Sequence, residues 1–162
     1  MNFFDTVQEL LGTSRFVMST YLSDMSDSDI LVRPVAGAHH AAWQIGHLIV
    51  SERRMIEGIA PSSCPVLPDG FEAGHAKDAG NGDGGHFLPL KTYQELMTAQ
   101  RMATLEVAKG LREPQLMEAA PEFMRSYAPF VRSVFLSIGG HELMHAGQIA
   151  VIRRVLGKTV LI

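Results

Sequence analysis

A chain of 162 residues, 46% hydrophobic and 19% charged, has the composition of a globular protein, and its length predicts one domain over residues 1–162. Its formal net charge of −3 provides no basic surface, which argues against nucleic acid as a partner. A single cysteine, no recognisable signal peptide and no apolar run long enough for a bilayer predict a cytoplasmic protein without disulfide bonds or membrane contacts.

The first half of the chain contains two segments with the apolar periodicity of helices. The first predicted helix covers residues 2–23, where apolar side chains fall on one stripe and Asn2 is a suitable cap. The second covers about residues 41–59 and reads AAWQIGHLIVSERRMIEGI. Since no segment of the chain alternates over the length of a strand, the predicted class is all-α.

Two more helices are predicted in the second half. The third opens with a capping box at residues 92–95, in which the Thr and Glu side chains bind free backbone N–H groups. It continues to about Lys109, and Gly110 can end it. The fourth is the longest, with Pro129 suited to its first turn and Gly157 to its end.

The second and third predicted helices are separated by about thirty residues, roughly 60–90, with six glycines and four prolines. A connection of this length is usually functional or disordered, and it can carry the chain from one end of a bundle to the other. We therefore expect a four-helix bundle with a long crossover connection between helices 2 and 3. A second irregular connection, residues 113–128, is expected to hold one short helical turn.

The fourth predicted helix contains the sequence HELMH, from His141 to His145, which fits the H-E-x-x-H pattern of zinc proteases. Histidines four residues apart are neighbours on one helix face, so both imidazoles can bind one metal ion. Buried, hydrogen-bonded histidines are the alternative. The chain after His145 contains no His, Asp, Glu or Cys, which disfavours a protease because any third protein ligand must come from upstream.

An upstream candidate is His47, in the middle of the second predicted helix within WQIGHL. A lone histidine there is more often a core residue, but an inward-facing histidine pair on another helix makes it a candidate ligand. Three neutral imidazoles leave coordination positions open, as catalytic zinc sites do.

The segment WQIGHL, the following Glu52 and the late sequence HELMHAGQIAVIRRVLG resemble the DinB-like (YfiT-like) superfamily of small metal-binding four-helix bundles. The resemblance spans nearly the whole chain. It implies that His47, His141 and His145 bind one divalent ion, for which zinc, nickel and iron are all suitable. It also implies a long crossover between helices 2 and 3, frequent homodimers, and, in some branches, transfer of a low-molecular-weight thiol onto an electrophile.

Three functions remain open at this stage. The first is a metal-dependent enzyme that transfers a thiol to a small-molecule substrate, with the 60–90 loop over the mouth of the site. The second is a metal-dependent hydrolase in which Glu142 is the catalytic general base. The third is a non-catalytic ligand-binding or stress-response bundle.

Other polar residues have weaker signals. Gln148 lies one turn beyond His145 and can support an imidazole or bind substrate, or pair within the core. Cys64 is predicted to be inert, because nothing near it in the sequence lowers its pKa. Four arginines are candidates for binding an anionic substrate, although helical arginines are usually solvated: Arg53, Arg54, Arg153 and Arg154. Four histidines are predicted to be exposed and to titrate freely: His39, His40, His75 and His86.

Overall fold

The structure, a computed structural model, describes residues 2–76 and 87–160. The described residues form no strand, and an isolated antiparallel bridge joins Ala119 and Phe130, so the all-α prediction is confirmed. Among these residues, no helix is both long enough and apolar enough to cross a membrane. The α-helices are α1 (Phe3–Leu22), α2 (Ala41–Glu57), α3 (Phe71–Gly74), α4 (Leu90–Gly110), α5 (Glu113–Leu116) and α6 (Val131–Val155), with 3-10 turns at Asp29–Leu31 and Glu122–Met124.

Two of the predicted helix ends are confirmed. Asn2 caps α1, since its side chain accepts a hydrogen bond from the backbone N–H of Asp5 (2.9 Å) and Asp5 accepts one in return (3.1 Å). Gly157 follows α6 with φ +70°, and the next N–H, that of Lys158, donates to the carbonyl of Arg153 (2.8 Å). This is a Schellman motif, for which the left-handed conformation favours glycine.

The predicted starts of α4 and α6 are wrong. α4 begins at Leu90, so Thr92 lies inside its first turn and does not cap it. The backbone N–H of Leu90 instead donates to the carboxylate of Asp27 (2.8 Å), which reaches the helix from the turn after α1. α6 begins after Phe130, which leaves Pro129 just outside the helix. The connection between the second and third predicted helices contains the short helix α3, and residues 113–128 contain two short helical segments, α5 and the turn at Glu122–Met124, where one was expected.

The four long helices α1, α2, α4 and α6 pack side by side, with α1 against α4 and α6, and α2 against the same two helices. Their buried apolar residues form two clusters at different heights. One cluster contains Met18, Ile45, Tyr93 and Ile149. The other contains Phe135 and Val134 of α6 and Leu11 of α1. α3 packs on α2.

Between the two apolar clusters, each long helix contributes a polar side chain to a buried charged layer. Arg101 of α4 donates two hydrogen bonds to Glu52 of α2 (2.9 and 3.0 Å) and one to Glu142 of α6 (2.9 Å). Burial alone would lower the pKa of Arg101, but the two carboxylates raise it above its usual value. The layer consists of Ser14, Arg15, Glu52, Arg101, Thr104 and Glu142.

Candidate metal centre

Three imidazoles meet beside the charged layer. His47 comes from α2, whereas His141 and His145 lie one turn apart on α6. One ring nitrogen from each lies within 4.8 Å of the other two, and the Nε2 atoms of His141 and His145 are 3.1 Å apart. We call these three residues the histidine cluster. Its members are the three residues that the sequence predicted as metal ligands.

The orientation of His145 is set by a glutamine of the neighbouring helix. The Nδ1 of His145 lies 3.0 Å from Oε1 of Gln44, whose own Nε2 donates to the carbonyl of His39 (3.0 Å). Because this second bond fixes which end of the amide faces the imidazole, Nδ1 of His145 must carry the proton. Its Nε2 then presents a lone pair to the cluster, as a metal ligand requires.

A backbone carbonyl orients His47 in the same way. The Nδ1 of His47 lies 3.3 Å from the carbonyl oxygen of His75, which can only accept, so Nδ1 carries the proton. The lone pair of Nε2, which lies 3.4 Å from the hydroxyl of Ser51, is the one suited to metal coordination. The His75 ring is 3% exposed and bonds to the hydroxyl of Tyr93 and the carbonyl of Phe71, both at 2.8 Å. It lies directly on Gly46, where a Cβ atom would stand 2.0 Å from Cδ2 of His75.

The prediction of exposed, freely titrating histidines is therefore wrong for His75, and it is also wrong for His40. His40 is 3% exposed and caps α2, since its Nδ1 accepts from the backbone N–H of Trp43 (3.1 Å). His39 is partly buried, and its ring stacks on Trp43 with centroids 3.6 Å apart. The opposite face of Trp43 stacks on His47 (4.8 Å). His86 lies outside the described residues.

Burial keeps the histidine pair of α6 neutral. It lowers the pKa of His141 to about 4, with the nearby His47 contributing in the same direction. Burial likewise lowers the pKa of His145 to about 3, helped by His141 and His47. Both rings are therefore neutral at neutral pH, the form in which an imidazole binds a metal ion.

The donor set fits a divalent cation. Two nitrogens bound at about 2.1 Å to one tetrahedral zinc ion lie about 3.4 Å apart, which is close to the 3.1 Å between His141 and His145. Neutral imidazoles with orienting hydrogen bonds are typical ligands of zinc and of neighbouring transition metals. Three ligands leave positions for a further group. The cluster is therefore compatible with metal binding, and the identity of the metal is open.

The carboxylate of Glu142 is bound elsewhere. It is 2% exposed and accepts hydrogen bonds from Ser14 (2.5 Å), Arg15 (2.9 Å) and Arg101 (2.9 Å), all within the charged layer. These bonds favour a structural role, and its predicted role as a catalytic base stays a prediction. Gln148 is exposed on α6, and Gln44 occupies the imidazole-supporting position for which Gln148 was a candidate.

A cavity of about 680 Å³ opens beside the cluster, with His47 and His141 in its wall. We call it the histidine pocket. Its remaining walls come from α2, from the start of α6 and from the segment around the 3-10 turn at Glu122–Met124, including Phe123 and Tyr127. The sequence does not predict these aromatic residues as part of a site, because they lie in an irregular connection without any motif.

Cys64 lies outside this pocket and is partly buried. Its thiol accepts from the side chain of Gln100 (3.2 Å) and lies 3.8 Å from the carbonyl of Arg53. Burial raises the pKa of the Cys64 thiol, which agrees with the prediction of an inert cysteine.

Comparison with protein families gives a match over most of the chain. The family described as the DinB superfamily matches residues 10–149, a range that starts within α1 and ends within α6 and contains the whole histidine cluster. A comparison with curated proteins gave no match.

Proposed function

The chain belongs to the DinB superfamily, and from this premise we propose that it is a metal-dependent enzyme that acts on a small molecule in the histidine pocket. The observation that carries the proposal is the convergence of three imidazoles at the wall of a cavity large enough for a substrate, with burial keeping those of His141 and His145 neutral. The residues that would hold the divalent ion are His47, His141 and His145.

The proposed architecture is one domain in which the four long helices form a four-helix bundle. Support comes from their side-by-side packing and from the family. The connection from α2 to α4 would be the long crossover. Part of it, residues 77–86, lies outside the described residues.

A bound divalent ion would act as a Lewis acid that polarises water or stabilises a thiolate. The chain contributes orientation, since Gln44 binds Nδ1 of His145 and the carbonyl of His75 binds Nδ1 of His47. It also contributes a largely apolar pocket wall against which the body of a substrate can pack. Thiol transfer to an electrophile ranks first among the reactions because of the family resemblance.

A hydrolase that uses Glu142 ranks second. A general base must reach the proton that it removes, and the carboxylate of Glu142 is engaged by two guanidinium groups and a hydroxyl in the charged layer. These interactions direct it towards α1 and α4. Hydrolysis would need a different base or a rearrangement of this layer.

A homodimer is also part of the proposal. Support comes from the outer surface of α6, where five large apolar side chains are at least 38% exposed: Leu136, Leu143, Met144, Val151 and Val155. Light scattering of the purified chain tests this directly. A monomeric mass at a protein concentration of about 50 µM would contradict the homodimer.

The experiment that tests the metal is elemental analysis of untagged protein beside a His47→Ala variant. We expect about one divalent ion per chain in the wild type and a loss of most of it in the variant, because one of three ligands is removed. Gln148→Ala, an exposed change one turn from His145, is the control and should retain the metal. A wild type that stays metal-free after reconstitution would overturn the proposal.

The reaction is tested by incubating metal-loaded protein with low-molecular-weight thiols and an aryl halide, which loses its halide as the carbon–sulfur bond forms. Turnover that depends on His47 supports thiol transfer. Hydrolysis of esters or amides without any thiol would support the second function. If no combination of thiol, aryl halide and metal gives turnover, the result would support a non-catalytic bundle instead.

A further inference from the structure

The histidine pocket has mostly apolar walls, and its positive charge comes from one arginine, Arg54. Val50, Met55, Phe123 and Tyr127 give it aliphatic and aromatic walls. None of its described lining residues is acidic. Apart from the two histidines, the ionisable groups in the lining are the guanidinium of Arg54 and the phenol of Tyr127.

Arg54 is held in place without a carboxylate. Its guanidinium carbon lies 4.4 Å from the ring centroid of Phe123, a cation–π contact across the pocket wall. The adjacent Arg53 points to Glu72 (3.0 Å), and Arg101 is paired within the charged layer. Within residues 2–76 and 87–160, no carboxylate forms an ion pair with Arg54. Its charge is therefore available to a ligand.

The spacing along α2 relates this charge to the histidine cluster. Arg54 and His47 are seven residues apart, which places them on the same helix face with a separation of about 10 Å along the axis. Val50 and Ser51 lie between them in the same wall. A molecule bound along this face would have an apolar section about two helical turns long between its two polar ends.

We propose that the histidine pocket binds a small organic anion with an aliphatic or aromatic body, whose anionic group pairs with Arg54 and whose other end lies at the histidine cluster. A carboxylate suits the guanidinium because the two groups can share parallel hydrogen bonds. The apolar body would lie against Val50, Met55 and Phe123. That this anion is the substrate rests on the proposed function, whereas its binding does not require a metal.

Calorimetric titration with octanoate and with octanamide tests the proposal, since the two probes differ in charge but hardly in shape. Octanoate should bind the metal-free wild type about fivefold to tenfold more tightly than octanamide, as one charge-assisted pair predicts. Arg54→Gln should remove this preference and leave octanamide binding unchanged. Arg54→Lys should restore part of it, because the positive charge is kept.

Arg132→Gln is the matched control. Arg132 is also a helical arginine over a phenylalanine ring, with its guanidinium carbon 5.6 Å from the centroid of Phe130, but it does not line the pocket. It should leave the octanoate preference intact. Equal octanoate affinity in the wild type and Arg54→Gln would overturn the proposal, as would equal affinity for both probes in the wild type.

The same titration repeated with zinc-loaded protein separates this proposal from the proposed function. An Arg54-dependent preference in both forms supports the anion site, whether or not the loaded protein is an enzyme. A preference that appears only with zinc and ignores Arg54 would place the carboxylate at the histidine cluster. That result would overturn the anion site and leave the metal-dependent function standing.

Discussion

The amide oxygen of Gln44 lies 3.0 Å from Nδ1 of His145, so a side chain of α2 orients a candidate ligand of α6. The two residues are 101 positions apart in the chain. Gln44 precedes His47 by three residues on the same face of α2. One helix face therefore supplies both a candidate ligand and the support for another, which links the geometry of the centre to the packing of α2 on α6.

Replacing Gln44 with Ala should weaken metal binding by about 10-fold to 100-fold, the usual effect of removing a hydrogen-bond partner of a ligating histidine. Gln44→Glu should restore affinity, because a carboxylate also accepts from Nδ1 of His145. Competition with a chelator of known zinc affinity gives the dissociation constants. Equal losses in both variants would show that a hydrogen-bond acceptor at this position does not support the metal, and would contradict the orienting role of Gln44.

Gly46→Ala should displace His75 from α2, since the added Cβ would lie 2.0 Å from its ring. We expect a loss of about 2 kcal/mol in the free energy of unfolding, together with weaker metal binding, because the carbonyl of His75 would leave His47. Gly12→Ala is the control, as a Cβ atom added at Gly12 would have no neighbour within 4 Å and alanine favours a helix. Urea unfolding measures the stability of both variants. An unchanged midpoint for Gly46→Ala would contradict the close contact between Gly46 and the His75 ring.

Glu142→Gln should destabilise the protein by about 3 kcal/mol, because it leaves Arg101 and Arg15 with less buried negative charge. The same change at Glu95, an exposed residue near Lys91, should cost less than about 0.5 kcal/mol. Thermal unfolding gives the comparison. Metal content should be nearly unchanged by Glu142→Gln, and a large loss of metal with normal stability would assign this glutamate to the metal centre.

The metal-free protein should lose stability as the pH falls from about 6.5 to about 4. The folded-state pKa values of His141 and His145 lie near 4 and 3, below the ordinary value of 6.5. In this window the unfolded chain binds more protons than the folded one, so acid favours unfolding, and the contribution is fully regained above pH 6.5. We expect the melting temperature to fall by about 5 °C across the window.

His141→Asn isolates this effect, because it removes one of the two imidazoles but keeps a polar side chain of similar size. Its melting temperature should depend less steeply on pH between 6.5 and 4 than that of the wild type. Carboxylates such as Asp24 and Glu57, whose pKa values are lowered by hydrogen bonds, contribute mainly below this window. Identical pH profiles for the two proteins would show that the imidazoles do not titrate as buried groups.

Local patterns in the sequence were enough to find the four long helices and the histidine pair of α6, whereas the three-histidine set that includes His47 came from the family resemblance. Apolar periodicity marks each helix, and HELMH places two imidazoles on one face. The start of α4 was missed because its backbone is capped by Asp27, 63 positions earlier. Burial of His75 depends on Gly46 and Tyr93, and neither contact leaves a pattern in the nearby sequence.

The partners of Glu142 show the same limit in the site itself. A glutamate within H-E-x-x-H suggests a base for water activation, but its hydrogen bonds come from α1 and α4, which approach only in the folded chain. The supporting role of Gln44 has more basis in the sequence than the partners of Glu142, since its spacing of three residues from His47 is visible in WQIGHL. Recognising it required knowing which face of α6 lies opposite.

The charged layer determines how the long helices can be aligned along their axes. Apolar side chains accept many neighbours, so two helices packed only by them can slide past each other at modest cost. A slip of α6 by one turn, about 5.4 Å, would separate Glu142 from both Arg101 and Arg15 and leave its carboxylate buried without a cation. Glu142 follows His141 directly, and Glu52 lies five residues after His47. The ion pairs of these two glutamates with Arg101 therefore also fix the positions of the imidazoles of α2 and α6 along the helix axes.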